Sequence, residues 1–474
     1  MQFRLNVLLA SVLLAVPQAK TAAQTGGFAT TAGGDAASAR EFTATTFEEI
    51  NTLIANARYD DAGKKVATGA YPLHITYIGN EDALIAQILT DHTVDASGNC
   101  PKAHWNDTYR KVEIKDFTAG ITLEGANGSS ANWGIVLVRS NDVVVRNMTI
   151  GALGGAANDA DMIRIDSSSN VWIDHNELFA VNNECNGSPD GDLTFEAAID
   201  IKKDSHNITV AYNYIHDSKK VGLDGSSSSD IAGGREITFH HNMYANVNAR
   251  LPLQRGGWTH MYNNLYDGIT GSGINVRQAG YALIEKNWFQ NSVNPVTCRY
   301  DSSNCGFWDL RSNNVTGPAD FATYHITWTS GGTVDATDWK TTATFPKTLT
   351  YTYEPVSPQC VKDKLTQYVG VGKNAAQLTA SACSGSGSGS DSSSGASSSD
   401  APVLSGTGDY PSGFSKCTEA GGTCSVTRGT GWVAFGRKGK WVVKHVGVGN
   451  SIACTVAAFG SDPGGNLNKC SFQK

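Results

Sequence analysis

The 474-residue sequence contains no two cysteines three positions apart, so a zinc knuckle or ribbon has nothing to build on. After the first two dozen residues no apolar run approaches the roughly 18 needed to span a membrane as a helix, so no membrane partner is expected. Charged residues are only 17% of the chain and sum to −7, and no nucleic-acid partner is expected of such a balance. The serine runs at 226–229 and 384–399 hold no Gly-x-Ser-x-Gly elbow, which removes the usual signal of a serine hydrolase. His240 and His241 are adjacent, so in a strand they would face opposite ways and could not chelate one metal. His175 and His206 read as structural or surface residues.

What is abundant is turn chemistry: 51 glycines, with many Asn and Ser besides. Residues 1–23 carry Arg4, an apolar run from Val7 to Val16, and small residues at Ala19, Ala22 and Ala23. That is the pattern of a signal peptide, and it predicts a secreted, extracellular protein. In that compartment the ten cysteines read as disulfides. Six precede a Ser/Gly-rich tether and four follow it, so each part is expected to close its own bridges. The expected organisation is a signal peptide at 1–23, a main domain at 24–383, a linker at 384–402 and a small module at 403–474. The module holds eight Lys/Arg against three Asp/Glu, a net +5, which leaves −12 for the rest. Basic module and acidic body therefore face different partners.

Phe47 to Asn56 places Ile50, Leu53 and Ile54 at the spacing of a short amphipathic helix. Beyond it, short apolar segments alternate with turns, and six share a β-rich lead, an Asn and an apolar tail. The asparagines are Asn147, Asn176, Asn213, Asn242, Asn264 and Asn287, at steps of 29, 37, 29, 22 and 23 residues. Such steps, without helical pattern between them, predict the coils of a parallel β-helix, with the asparagines stacking from coil to coil. A propeller blade needs roughly 40 residues or more, about twice the shortest step. The longer steps carry the insertions 183–193 and 224–234, which places a groove on that side.

Acids cluster ahead of cations here. Asp159 and Asp161, Asp190 and Asp192, and Glu196 and Asp200 fall within about 40 residues, and oxygen ligands from several loops suit Ca²⁺. Lys202, Lys220, Arg250 and Arg255 follow, the two arginines flanking Pro252 in a segment that reads as a strand end or bend. Carboxylates holding a cation beside such a set suit a polyanionic ligand. A solvated acidic face with ordinary strand-edge lysines is the plainer alternative.

These motifs together, Asp-Ala-Asp-Met-Ile-Arg-Ile-Asp, Val-Trp-Ile-Asp-His-Asn-Glu-Leu-Phe, Thr-Phe-Glu-Ala-Ala-Ile-Asp-Ile-Lys, Lys-Lys-Val-Gly-Leu-Asp-Gly and Asn-Ala-Arg-Leu-Pro-Leu-Gln-Arg-Gly-Gly, resemble the extracellular bacterial pectate lyases of polysaccharide lyase family 1. The resemblance covers residues 30–383. It implies an all-β fold, a right-handed parallel β-helix, followed here by a small disulfide-bridged module. It also implies Ca²⁺ as cofactor, polygalacturonate or pectin polysaccharide as partner, and cleavage by β-elimination. By motif, Asp161, Glu196 and Asp200 would be the main Ca²⁺ ligands with Asp159 assisting, and Asp190 and Asp192 would hold secondary ions. Arg250 would take the C5 proton, Lys220 and Arg255 would bind substrate carboxylates, and Lys202 would line the cleft. Arginine parts with a proton least readily of all side chains. A nearby Ca²⁺, Lys220 and Arg255 would each disfavour its charged form, which implies an alkaline working pH.

The resemblance further pairs Cys100 with Cys185 and Cys360 with Cys383, while a Cys298–Cys305 bridge follows from parity and short spacing. The module lies outside the resemblance; its aromatics and charge suit carbohydrate binding, and a stable domain without a ligand is the equal alternative. A monomer is expected. N-glycosylation sequons start at Asn106, Asn127, Asn147, Asn186, Asn207 and Asn314, with Asn147 expected to be buried. Two other readings stand beside the pectate lyase: a pectin lyase acting on methylated polymer, which would not need the acidic cage, and a non-catalytic pectin-binding β-helix protein.

Overall fold

The computed structural model describes residues 25–102, 109–154, 160–185, 195–232, 234–298, 304–329, 334–335, 339–373, 376–383, 404–426, 432–446, 451–459, 463–464 and 468–473. The expected leader and Ser/Gly linker lie outside these residues, as do Asp159, Asp190 and Asp192. The chain divides into two compact units, Met1–Gly387 and Ser388–Lys474.

Among the described residues the first unit is built from three large sheets of ten, nine and six strands, with a small two-stranded sheet, Ser292–Val293 with Ile326–Thr327, besides. Their pairing is parallel apart from the last strand of the nine-stranded sheet, Val334–Asp335, which runs antiparallel to Val296–Cys298. The central coils contribute one strand to each sheet, as in Ser169–Asp174, Glu177–Phe179 and Ile199–Lys202, and the result is a parallel β-helix. Because the side-chain period of a strand is two, every second residue points inward and stacks on its equivalent one coil away. Val145, Ile173, Val210, Phe239, Met261 and Ile284 form one such interior row. None is more than 5% exposed, and each contributes roughly 1.5–3 kcal/mol by leaving water.

The corners are polar, and the asparagines solve their hydrogen-bonding problem. The Oδ1 of Asn213 accepts from the backbone N–H and the Nδ2 of Asn176, and Asn242, Asn264, Asn287 and Asn313 repeat the arrangement in turn. Buried amide groups are thereby satisfied one coil at a time. Asn147 is not part of this ladder. The N–H bonded by Asn176 in that coil belongs to Met148, so Asn147 stands one residue out of register. It occupies instead the column of left-handed corner residues that includes His175, Tyr212, His241, Asn263 and Lys286, all with φ between 49° and 55°. It is buried there, with Nδ2 donating to the Gly125 carbonyl and Oδ1 accepting from the Gly372 N–H. Asn313, by contrast, belongs to the ladder, one coil beyond the six repeat segments.

The same left-handed turn corrects the reading of the histidine pair. With φ at 53°, His241 swings to the side of His240, and their Nδ1 atoms lie 3.0 Å apart. Both rings are buried among tyrosines, and no metal-binding group of three His, Cys, Asp or Glu occurs among the described residues.

The expected helix runs Phe47–Asn56, with the Thr46 side chain accepting from the Glu49 N–H at its start. Ile50 and Ile54 bury into the core near the first coils. At the other extreme, residues 356–378 lay a second apolar cluster, including Val361, Leu365 and Leu378, against Val144 and Trp172 on the outer face of the ten-stranded sheet. Disulfides join Cys100–Cys185, Cys298–Cys305 and Cys360–Cys383 in this unit, and Cys417–Cys424 and Cys454–Cys470 in the other.

Candidate active site

The charged residues singled out by their spacing converge on one corner and the adjoining outer face of the nine-stranded sheet. The Met162 N–H bonds the Ala197 carbonyl, the Ala198 N–H bonds Val221, and the Val221 N–H bonds Ala249. Asp161, Glu196, Lys220 and Arg250 therefore sit at or beside the same corner of four successive coils. Coils stack at about 4.8 Å, so side chains far apart in sequence become close neighbours along the axis.

The sheet supplies the rest. In Ile199–Lys202 the isoleucines Ile199 and Ile201 point inward, which turns Asp200 and Lys202 outward. Asp200 pairs laterally with Arg164 and Leu223, and Leu223 with Leu253, so Arg255 shares the outer face two residues further on. Arg277 is the lateral partner of Arg255 on the next coil. Sequence reasoning missed it, because no acid or second cation stands near it in the chain.

Carboxylates and ammonium groups are interleaved here. Lys202 Nζ lies 3.0 Å from Asp161 Oδ2 and 3.0 Å from Asp200 Oδ2, with all three side chains buried. Lys220 Nζ lies 3.1 Å from Glu196 Oε2. Burial pushes the Asp200 carboxyl up, against the opposing pull of Lys202, Arg250 and the Leu223 N–H that it accepts. Burial likewise raises Glu196, with Lys220 and Arg250 opposing and Asp161 adding repulsion. Burial alone would loosen the Lys202 proton, but Asp200 and Asp161 outweigh it and hold it more tightly than in a free lysine.

Beside this cluster Glu184, another residue the spacing did not reveal, is buried and pushed up to about 7 by desolvation. Its Oε2 accepts the Phe195 N–H at 2.9 Å, and Lys219 stands 3.7 Å from Oε1. It thus fixes the chain immediately before Glu196.

Arg250 follows the strand Met243–Ala249 at a bend, with φ at 70°, ahead of a cis Leu251–Pro252 peptide and the strand Leu253–Arg255. Left-handed corners recur throughout this β-helix, so the backbone there belongs to the fold. What sets Arg250 apart is its side chain. Half-buried, it acts electrostatically on both Glu196 and Asp200, yet its guanidinium makes no hydrogen bond or close ion pair among the described residues. Arg255 is differently placed: its Nη1 donates to the Gly225 carbonyl at 2.7 Å.

The donor set fits a hard cation, since three carboxylates from two coils, Asp161 and Asp200 of them buried, carry more negative charge than the interior tolerates without compensation. At present the ammonium of Lys202 supplies part of it. No three of these groups converge as metal ligands among the described residues.

Known proteins resemble the chain in sequence and in fold. The pectate lyase family model matches residues 1–374. Pectate lyase C of Dickeya chrysanthemi is 58% identical over 386 residues, covering 81% of this chain and all of the relative, and pectate lyase 3 of Pectobacterium atrosepticum is 58% identical over the same span. The solved structure of pectate lyase C from Erwinia chrysanthemi at pH 9.5 with 30 mM Ca²⁺ is 59% identical, superposes with a TM-score of 0.71, and covers 76% of this chain and 100% of its own. A mutant of pectate lyase C in complex with pentagalacturonic acid superposes equally well, with a TM-score of 0.71. Family model, sequence identity and fold agree: the chain belongs to the pectate lyase family and is a polysaccharide lyase.

Proposed function

We propose that the chain is a secreted, Ca²⁺-dependent pectate lyase that cleaves (1→4)-α-D-galacturonan by β-elimination. The observation that carries this reading is the nearness of Asp161, Glu196 and Asp200 to the guanidinium of Arg250, which takes no hydrogen bond or close ion pair among the described residues. Asp161, Glu196 and Asp200 would hold Ca²⁺, with Asp159 completing the set. A bound Ca²⁺ would withdraw electron density from a coordinated C6 carboxylate and so acidify the neighbouring C5–H.

The work of the chain is to position and to move a proton. Arg250 removes the C5 proton; the C5–H electron pair becomes the C4=C5 double bond, the C4–O bond breaks, and the departing oxygen takes up a proton. Lys220 and Arg255 bind substrate carboxylates and so resist the build-up of negative charge on the reacting sugar. Lys202, already between two carboxylates, lines the cleft and offsets their charge. Asp190 and Asp192 would serve secondary calcium ions.

The identity to pectate lyases supports galacturonan as substrate, as does the pentagalacturonic acid bound by the relative. The leader-like composition of residues 1–23 supports export. Formation of unsaturated product from polygalacturonate, followed by ultraviolet absorbance with and without Ca²⁺ at alkaline pH, is the test. Absence of product with Ca²⁺ present would defeat the reading, and activity resistant to chelator would favour a pectin lyase.

A further inference from the structure

The second unit has its own architecture. Four antiparallel strands are ordered Phe414–Glu419, Lys469–Gln473, Trp432–Arg437, Lys440–His445. One face is the core: Val433, Phe435, Cys470 and Phe472 pack with Cys424, Cys454 and Val426 around the two disulfides. Alternation then fixes what the other face carries. Trp432, Ala434 and Gly436 lie on one strand, and Trp441 pairs with Gly436 across the hairpin, so both tryptophans stand on that face. They are four residues apart along the strand, about 14 Å at the usual rise.

The floor between them is narrow and small. Ala434 and Ser471 pair laterally, both fully buried, and Lys416 pairs with Ser471 on the far side. Lys469 pairs with Gly436. Both tryptophans are half-buried, so part of each ring stays open. Lys438 and Lys440 are exposed at the hairpin tip beside Trp441, and neither takes an ion pair among the described residues. Lys416 and Lys469 are already engaged, Lys416 at 2.7 Å from Glu419 and Lys469 at 3.1 Å from Asp409. The result is a pair of aromatic platforms with two exposed lysines at the adjoining hairpin tip.

We propose that this face is a binding site for acidic polysaccharide, the rings of Trp432 and Trp441 stacking on sugars while Lys438 and Lys440 at the hairpin tip meet carboxylates. The choice of de-esterified galacturonan rests on the function proposed above, but the preference for an acidic polymer rests on charge. Residues 403–474 carry +5, whereas the remainder carries −12 and repels a polyanion at long range. A basic module on the same chain reverses that repulsion where the polymer first meets the protein. Neutral glucans would use the tryptophans and have no call on the lysines, and a membrane surface would need apolar side chains that project instead of lying half-buried.

The test uses the full chain on beads carrying covalently coupled de-esterified pectin, with chelator present to silence elimination and contacts through calcium. Trp432→Ala/Trp441→Ala is expected to lower retention about tenfold, which is 1.4 kcal/mol, and to leave turnover of soluble trigalacturonate with Ca²⁺ unchanged. Lys438→Glu/Lys440→Glu, at exposed positions outside the module's core, is expected to weaken retention and flatten its salt dependence. Unchanged retention in the lysine variant overturns the proposal. So does equal loss on methyl-esterified pectin or cellulose beads, or binding of anionic lipid vesicles in place of pectate. Retention without any lyase turnover would sink the proposed function and leave this site standing.

Discussion

Lys202 Nζ stands 3.0 Å from Oδ2 of Asp161, a carboxylate contributed by the preceding coil. With Asp200 at the same distance, the ammonium acts as an internal counter-ion. A divalent cation entering here competes with it. Lys202→Met is therefore expected to tighten Ca²⁺ binding about tenfold by calorimetry without substrate, a gain of roughly 1.4 kcal/mol. The metal-free protein should become less stable by about 3–5 kcal/mol, because two buried carboxylates lose their partner. Weaker Ca²⁺ binding would show instead that Lys202 organises the ligands.

Arg250→Lys keeps the charge and removes the guanidinium. Turnover of polygalacturonate should fall by roughly 10²–10⁴, the usual share of a positioned proton-transfer group, while oligogalacturonate binding measured by fluorescence titration changes little. Activity near that of the unaltered chain would end the special role of Arg250.

Chelation separates the carboxylates from the cations. Removing Ca²⁺ should abolish turnover, and adding it back should restore it. Asp161→Asn and Asp200→Asn should each raise the Ca²⁺ concentration for half-maximal rate by one or more orders of magnitude, since the cation loses a charged ligand. A changed rate at saturating Ca²⁺ with an unchanged midpoint would count against them as ligands.

His74 ties the stability of the fold to pH. It lies 3.1 Å from Asp35 and 3.3 Å from Glu124, and Arg146 engages the same two acids. Burial would lower it, but the bonds to Asp35 and Glu124 win and raise it to about 9. A group raised in the folded state stabilises fully below its unfolded value near 6.5, and that contribution is lost as pH climbs through about 9. The melting temperature should therefore fall between about pH 7 and 10, with on the order of 2–3 kcal/mol at stake. In His74→Gln the slope over that window should flatten; a slope that persists would place its origin elsewhere.

The bridges should differ in worth. Cys100–Cys185 closes a separation of 85 residues and Cys298–Cys305 one of 7. Chain entropy alone assigns them about 4.6 and about 2.4 kcal/mol. Replacing the first pair by alanine should lower the melting temperature more than replacing the second, by calorimetry at one pH.

How much of this was legible follows from where the information sits. Coil architecture was readable because the asparagine spacing and the strand composition repeat within the chain. The one-residue slip at Asn147 was not, because Met148 fills the ladder position there and the neighbouring Asn imitates it. Asp161, Glu196, Asp200 and Arg250 could be singled out because each stands in a dense charged motif. Their interleaving with Lys202 and Lys220 could not, since it depends on lateral register between coils. Arg277 and Glu184 were invisible for the same reason: each gains its setting from a neighbour more than ten residues away. The geometry of the His240–His241 pair is not legible in the sequence, because strand alternation ends at His241, whose backbone is left-handed.

The corner that carries Asp161, Glu196, Lys220 and Arg250 is also a ruler. One residue per coil at a pitch of about 4.8 Å gives the axis a polarity, anions on the earlier coils and cations on the later ones. An extra coil would suit the repeating interior well enough, but placed between residues 161 and 250 it would slide one half of this series against the other. Growth by coil duplication is thus open to the ends of the stack and closed to its middle.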